Sequence, residues 1–314
     1  MTNKLTNITI IGAGLWGLAL AKLANYNQNN NVSIWSRNSC QSLASVIIET
    51  NVIFSAVSMP GVRPTIERLQ SVDIAKNIII VTATKGLDPV TNYTPSRMWQ
   101  EGFPDHSIVV LSGPNLSKEI NQGLPAATVV ASQDLAAAQT IQELLSSDVF
   151  RVYVNSDPTG TELGGTLKNI MAIAAGVCDG LKLGTNAKSA LVTRALPEMI
   201  RVGVHFGASP ATFFGLSGLG DLMATCDSPL SRNYRVGYGL AQGKSLEQIL
   251  LELGSTAEGI NTTDVLVKLA NKQRIAIPIA SEVDKLLKGQ TTAQEAVNAL
   301  IKRELKEEFI DLIF

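Results

Sequence analysis

Apolar runs punctuate the first half of the chain at regular intervals. Val52-Ile53-Phe54, Ile78-Ile79-Ile80-Val81, Ile108-Val109-Val110-Leu111 and Ala127-Thr128-Val129-Val130 are close to continuously apolar and do not alternate. That pattern predicts strands covered on both faces, as in a parallel sheet lying between helices. Ile8-Thr9-Ile10-Ile11 and Val32-Ser33-Ile34-Trp35 precede them as shorter strand-like runs, and Phe150-Arg151-Val152-Tyr153-Val154 closes the series. From Pro158 onward the period turns helical. Asp157 supplies an N-cap carboxylate, and a proline suits the first helical position after it. The stretch from Thr161 to Gly176 is apolar almost all the way round, which predicts a helix buried on every side. Leu191 to Phe206 reads as another helix. Ser231 caps one that continues through Tyr234 and Leu240. Lys302 to Glu308 reads as a charged, solvated helical face.

The interruptions in this pattern carry the chemistry. Between the first strand and the helix-like Leu18 to Ala24 stands Gly12-Ala13-Gly14-Leu15-Trp16-Gly17. This is G-x-G-x-x-G in the context it requires, with a strand before it and a helix after. Its glycines permit the tight turn, the approach of backbone to a pyrophosphate, and close helix–strand packing. The fold class is therefore α/β plus all-α. An N-terminal Rossmann-like doubly wound sheet over residues 1–156 is expected to bind NAD(P), and a helical C-terminal domain over 157–314 is expected to bind substrate. The second strand ends in Ser36-Arg37 with no acid to take a ribose 2′-hydroxyl. Arg37 suits a 2′-phosphate, so NADP is tolerated or preferred and NAD is possible; it reads equally as a solvated surface charge. Later strands end in Ser55 to Met59, Thr82-Ala83-Thr84-Lys85-Gly86 and Ser112-Gly113-Pro114-Asn115. Ligands of doubly wound sheets bind at such ends, which directs Lys85 and Asn115 to the pyrophosphate crevice.

In the helical half, Lys168 and Asn169 are polar residues within the all-round apolar helix. A buried lysine must reach solvent, pair with a carboxylate or lose its proton. The adjacent Gly164 and Gly165 each cost a helix roughly 1 kcal/mol relative to alanine, which suggests close approach of another helix or a flat ring. Asp221 and Thr225 share a helix face by their i, i+4 spacing. Ser231-Arg232-Asn233 opens a helix whose free amides favour an anion, and the guanidinium and amide add donors for phosphate. The bland alternative is a capped helix with an exposed arginine.

Composition narrows the field. The chain has 314 residues, enough for two domains, with 45% hydrophobic and 17% charged positions. A net charge of −1 gives no electrostatic reason to bind nucleic acid or an anionic membrane. Three dispersed cysteines without a CxxC pair, and only two histidines, argue against a metal centre or a disulfide framework. Ile8 to Ala21 mimics a signal peptide, but glycines break it and it reads better as strand and turn. With no run of 18 apolar residues, a soluble cytoplasmic protein is expected.

In order and spacing, these segments resemble the bacterial-type NAD(P)-dependent glycerol-3-phosphate dehydrogenases along nearly the whole chain. The shared motifs are the glycine loop, Thr84-Lys85-Gly86-Leu87, Ser112-Gly113-Pro114-Asn115 with Lys118-Glu119, Gly164 to Asn169, Ser217 to Asp221, and Ser231-Arg232-Asn233. The resemblance implies that Lys168 is the general acid/base. It implies substrate contacts at Lys85, Gly113, Asn115, Lys168, Asp221, Ser231, Arg232 and Asn233. It implies cofactor contacts at Gly12, Gly14, Leu15, Trp16, Gly17, Arg37, Lys85, Ser117, Arg232 and Glu258. Dihydroxyacetone phosphate or glycerol 3-phosphate would be the substrate, glycerophospholipid synthesis the destination, and a homodimer a compatible assembly. Lys168, its pKa lowered toward neutrality or kept poised by Asp221, would protonate the alkoxide as hydride reaches the ketone carbon. The chain departs from the family in a short connection between Arg37 and Val52, on the adenine side, and in Asn115, where many relatives carry a hydroxyl. Rival readings are a β-hydroxyacid or 6-phosphogluconate-like dehydrogenase, and a non-catalytic nucleotide-sensing protein.

Overall fold

The computed structural model describes residues 5–72, 74–305 and 307–308. The chain divides into two units, Met1–Asp88 with Tyr93–Glu162, and Pro89–Asn92 with Leu163–Phe314.

In the first unit strands and helices alternate as β1 (Thr6–Ile11), α1 (Leu15–Ala24), β2 (Asn30–Trp35), α2 (Leu43–Ile47), β3 (Val52–Ser55), α3 (Met59–Gln70), β4 (Ile79–Thr82), α4 (Pro95–Gly102), β5 (Ile108–Ser112), α5 (Ser117–Asn121), β6 (Ala126–Ala131), α6 (Leu135–Leu145) and β7 (Phe150–Asn155). They form one seven-stranded sheet in the order β2-β1-β3-β4-β5-β6-β7. One face buries Leu20, Leu23, Ile141 and Leu144 of α1 and α6 against Ile10, Val81 and Val109. The other buries Val62, Leu69 and Trp99 of α3 and α4 against Ile53 and Ile80. Burial on both faces is why these strands carry no alternation. The order reverses between β1 and β3, and such a switch point is where doubly wound sheets place a ligand.

One expectation needs correcting. The sheet is not parallel throughout, because β6 pairs with β5 antiparallel and β7 then pairs parallel with β6. A doubly buried strand has the same composition in either direction, so the apolar runs could not reveal the reversal.

The second unit contains α7 (Pro158–Gly180), α8 (Gly184–His205), a 3₁₀ turn (Pro210–Phe214), a π-helical turn (Leu216–Gly220), α9 (Asp221–Cys226), α10 (Arg232–Ala241), α11 (Leu246–Leu253), α12 (Glu258–Gln273), α13 (Pro278–Leu287) and α14 (Ala293–Ile301). The unit boundary falls within the first turns of α7. Asp157 starts that helix by accepting the Gly160 N–H at 2.8 Å. Every residue from Gly160 to Cys178 is buried, as the all-round apolar sequence requires. Gly164 meets the π-helical turn, where an added Cβ would lie 2.6 Å from the Ser217 carbonyl oxygen. The close approach implied by Gly164 is therefore made by a helix.

Two helix limits differ from the sequence reading. Helix α8 starts at Gly184, ahead of Leu191, because its first turns are polar and escaped an apolar-period criterion. Helix α14 ends at Ile301, and the described residues of 302–308 are non-helical and exposed, with no apolar stripe to bury. Among the described residues no helix is long and apolar enough to cross a membrane.

Candidate active site

In the first unit the predicted residues gather at the carboxyl ends of the strands. Gly12 has φ of +118°, and its N–H donates to the Trp35 carbonyl at 2.8 Å. A Cβ on Gly12 would stand 2.6 Å from the Ala56 oxygen, and one on Gly17 only 1.8 Å from the Gly12 oxygen. Both glycines are thus required by the fold itself. Gly14 differs: a Cβ there would meet nothing within 4 Å. Its backbone lies open at the N-cap of α1, beside Leu15 and Trp16, so packing does not explain the missing side chain. Arg37 is exposed directly after β2.

Lys85 lies after β4, and its ammonium donates to the Gly113 carbonyl at 3.2 Å. That contact brings the β4 and β5 loops together. Gly113 has φ +156°, and a Cβ there would stand 3.0 Å from the Cα of Thr128. The Asn115 amide NH₂ donates to the Thr128 hydroxyl at 2.9 Å, and that hydroxyl donates to the Ser112 carbonyl at 3.0 Å. In this arrangement Asn115 braces the β5–β6 pair. Ser117 opens α5.

In the second unit Lys168 is nearly sealed from solvent and pairs with a carboxylate, one of the outcomes open to a buried lysine. Its Nζ donates to Asp221 Oδ1 at 2.9 Å and to Thr225 Oγ1 at 2.6 Å. The Thr225 hydroxyl in turn donates to Asp221 Oδ1 at 3.1 Å, so each of the three is held by the other two. The i, i+4 pair on α9 clamps the amine from one side. A charge-assisted hydrogen bond in such a dry setting is stronger than its surface equivalent.

The Ser231-Arg232-Asn233 turn lies in the same unit. Ser231 caps α10 by accepting the Tyr234 N–H at 3.2 Å, and Arg232 is exposed at its first position. Asn233 has a structural duty that its sequence position did not disclose. Its Oδ1 accepts the Gly259 N–H at 2.9 Å, at the start of α12. A Cβ on Gly259 would stand 2.7 Å from that oxygen and 2.8 Å from the Asn169 carbonyl oxygen. Asn169 follows Lys168 directly, so the starts of α10 and α12, with Asn233 and Glu258, converge on the lysine-bearing segment of α7.

Comparison with known proteins decides the family. The NAD-dependent glycerol-3-phosphate dehydrogenase C-terminus matches residues 157–298, and the N-terminus of the same family matches residues 7–50 and 38–138. The chain belongs to the NAD-dependent glycerol-3-phosphate dehydrogenase family. It is 62% identical over 304 residues to the glycerol-3-phosphate dehydrogenase (NAD(P)+) of Synechocystis sp., covering 97% of this chain and 96% of the relative. Identity to the same enzyme of Acaryochloris marina is 60%, over 98% of this chain and 99% of that one. A crystal structure of glycerol-3-phosphate dehydrogenase from Coxiella burnetii superposes with a TM-score of 0.91 at 33% identity, covering 96% of this chain and 100% of that one.

Beyond the residues that suggested the glycerol-3-phosphate dehydrogenase family, the structure contains buried carboxyls the sequence reading passed over. Glu162 accepts the Ser96 N–H at 2.8 Å and the Ser96 hydroxyl, closing the N-terminus of α4. Burial, only partly offset by these bonds and one from Thr94, pushes its pKa up to about 7. Glu198 accepts the N–H groups of Ile279 and Ala280, each at 2.9 Å, at the start of α13. Burial outweighs those bonds and raises it also to about 7. Glu162 was detectable, because it interrupts the same apolar run as Lys168.

Proposed function

We propose that this chain reduces dihydroxyacetone phosphate to sn-glycerol 3-phosphate reversibly, using NADPH or NADH, with residues 1–156 binding cofactor and 157–314 binding substrate. The observation that carries the reading is the buried Lys168–Asp221–Thr225 cluster in the unit that also bears the Ser231-capped helix. A bound nicotinamide supplies the hydride. Gly12, Gly14, Leu15, Trp16 and Gly17 hold the dinucleotide by backbone, Arg37 faces its 2′-phosphate, and Lys85, Ser117, Arg232 and Glu258 complete its surroundings. Ser231, Arg232 and Asn233 grip the phosphate of the substrate, while Lys85, Gly113 and Asn115 touch its remainder. Lys168 orients the ketone oxygen and gives it a proton as negative charge develops. Asp221 keeps that amine charged and aimed, and Thr225 fixes the direction of both bonds. In the reverse direction Lys168 takes the proton back.

The product suits glycerophospholipid synthesis, and a reducing cytoplasm suits the free Cys40, Cys178 and Cys226. A homodimer is compatible with this reading. An assay of purified protein with dihydroxyacetone phosphate, following nicotinamide absorbance with NADH and then NADPH, tests the activity. Steady turnover is expected with that substrate and, in the oxidative direction with NAD+ or NADP+, with glycerol 3-phosphate but not with 3-hydroxyacids or 6-phosphogluconate; the opposite preference would replace the reading with a rival.

A further inference from the structure

The helical unit holds a second knot of ionisable side chains that the mechanism above does not use. Lys188, in the second turn of α8, sends its ammonium to Asp179 Oδ2 at 2.7 Å and to Asp227 Oδ1 at 2.9 Å. Asp179 lies in the last turn of α7 and also accepts the Tyr234 hydroxyl at 2.7 Å. Tyr234 belongs to the first turn of α10, and the Lys188 Nζ stands 5.5 Å from the centre of its ring. One ammonium thus reaches α7, the end of α9 and the start of α10 together. Burial alone would lower the Lys188 pKa, but hydrogen bonds to Asp179 and Asp227 prevail and push it up to about 12. The charge is therefore permanent across the working range.

The location gives this clasp its meaning. Asp227 follows immediately after α9, which holds Asp221 and Thr225 against Lys168. The chain then turns through Ser228-Pro229-Leu230 into the Ser231 cap. Whatever fixes Asp227 fixes the spacing between the proton-donating end and the anion-holding end. Asp227 is 87% exposed at its side chain, so this arm adds little to folding stability. Its effect belongs to geometry.

We propose that Lys188 is a positioning residue for the reaction, setting the α9–α10 connection against α7 so that the Ser231–Asn233 turn meets the phosphate of a substrate whose carbonyl is at Lys168. The inference rests on the function proposed above.

The test uses full-length protein carrying Lys188→Met, Lys188→Arg, Asp227→Asn and the Met/Asn double change. The readouts are kcat and KM for dihydroxyacetone phosphate, kcat/KM for dihydroxyacetone without phosphate, NADPH binding, and the melting temperature. Lys188→Met is expected to raise KM for the phosphorylated substrate by about two- to fivefold, the scale of one partly exposed ion pair. It should narrow the preference for the phosphorylated ketone while leaving NADPH binding alone. Arginine should restore most of the loss. Asp227→Asn should shift KM the same way, and the double change should be no worse than Lys188→Met. An unchanged KM and preference in Lys188→Met and in Asp227→Asn overturns the proposal. So does a parallel loss of kcat, KM and NADPH binding that follows melting temperature and is not rescued by arginine. Should Lys188→Met fail to fold, Asp227→Asn alone decides. Wild-type protein inactive on dihydroxyacetone phosphate would defeat the function itself, whereas active wild type with indistinguishable variants defeats only this inference.

Discussion

At the residue scale, the decisive physical fact is the burial of an amine. Lys168 is 7% exposed, and an isolated charge at such depth would cost several kcal/mol. Asp221 and Thr225 offset that penalty by accepting hydrogen bonds from the amine in a dry setting. Lys168→Ala should lower kcat by between about a hundredfold and ten-thousandfold, the range of a general acid. NADPH binding should persist, because the glycine turn lies in the other unit; loss of both together would mean the lysine holds the fold and not the proton. Arg232 is exposed and sits at a helix start, so Arg232→Ala should act on substrate binding. Loss of one charged hydrogen bond, about 1.5–3 kcal/mol, corresponds to a KM rise of roughly ten- to a hundredfold. Steady-state kinetics would show it, and an unchanged KM would remove Arg232 from the phosphate site. Sequence was informative about Lys168, because a lysine in an all-round apolar helix demands a partner. It said nothing of Lys188, which looks like any polar residue in a solvated helix start until Asp179 and Asp227 are brought to it from distant parts of the chain.

At the scale of elements, glycines separate what the fold needs from what a ligand needs. Gly164→Ala would drive a methyl to 2.6 Å from the Ser217 carbonyl oxygen, against backbone that cannot turn aside. Overpacking of this kind costs typically about 1–3 kcal/mol, so thermal melting should fall by several degrees. Gly14→Ala places its methyl in open space at an ordinary φ of −77°, so melting should not change. NADPH binding should nevertheless weaken, measured by titration, because backbone can no longer approach the pyrophosphate. The opposite result, with Gly14→Ala unstable and Gly164→Ala intact, would mean the two close approaches are wrongly assigned. The strands were legible because double burial leaves a continuous apolar signature, and the glycine loop because its context was complete. The direction of β6 and β7 was not legible, since apolar composition carries no polarity. The duty of Asn233 at Gly259 was equally hidden, because its partner lies a whole helix away in sequence.

Across the whole molecule, two buried carboxyls tie stability to pH. Glu162 closes α4 in the first unit and Glu198 closes α13 in the second, and both are pushed up to about 7, chiefly by burial. In the unfolded chain each would titrate near its ordinary value of 4.5. Between these limits the native state retains protons that the unfolded state has released. Stability contributed by these groups is therefore full below about pH 4.5, declines as pH rises toward 7, and is level above. The slope can reach about 1.4 kcal/mol per pH unit for each group. The salt-bridged Asp264 and the capping Asp134, whose pKa values are lowered, act in the opposite sense and withdraw stability only at lower pH. Denaturant unfolding at a series of pH values should show the decline in wild-type protein. Glu162→Gln and Glu198→Gln should each flatten it. The glutamine at 198 turns an NH₂ toward one of two backbone N–H groups and so costs absolute stability, about 1–3 kcal/mol at every pH. At 162 the Ser96 hydroxyl can reverse and accept, which keeps the loss smaller. Slope, not level, is thus the measure: variants that unfold with the wild-type slope from pH 4.5 to 7 would show that neither carboxyl holds its proton in the folded state.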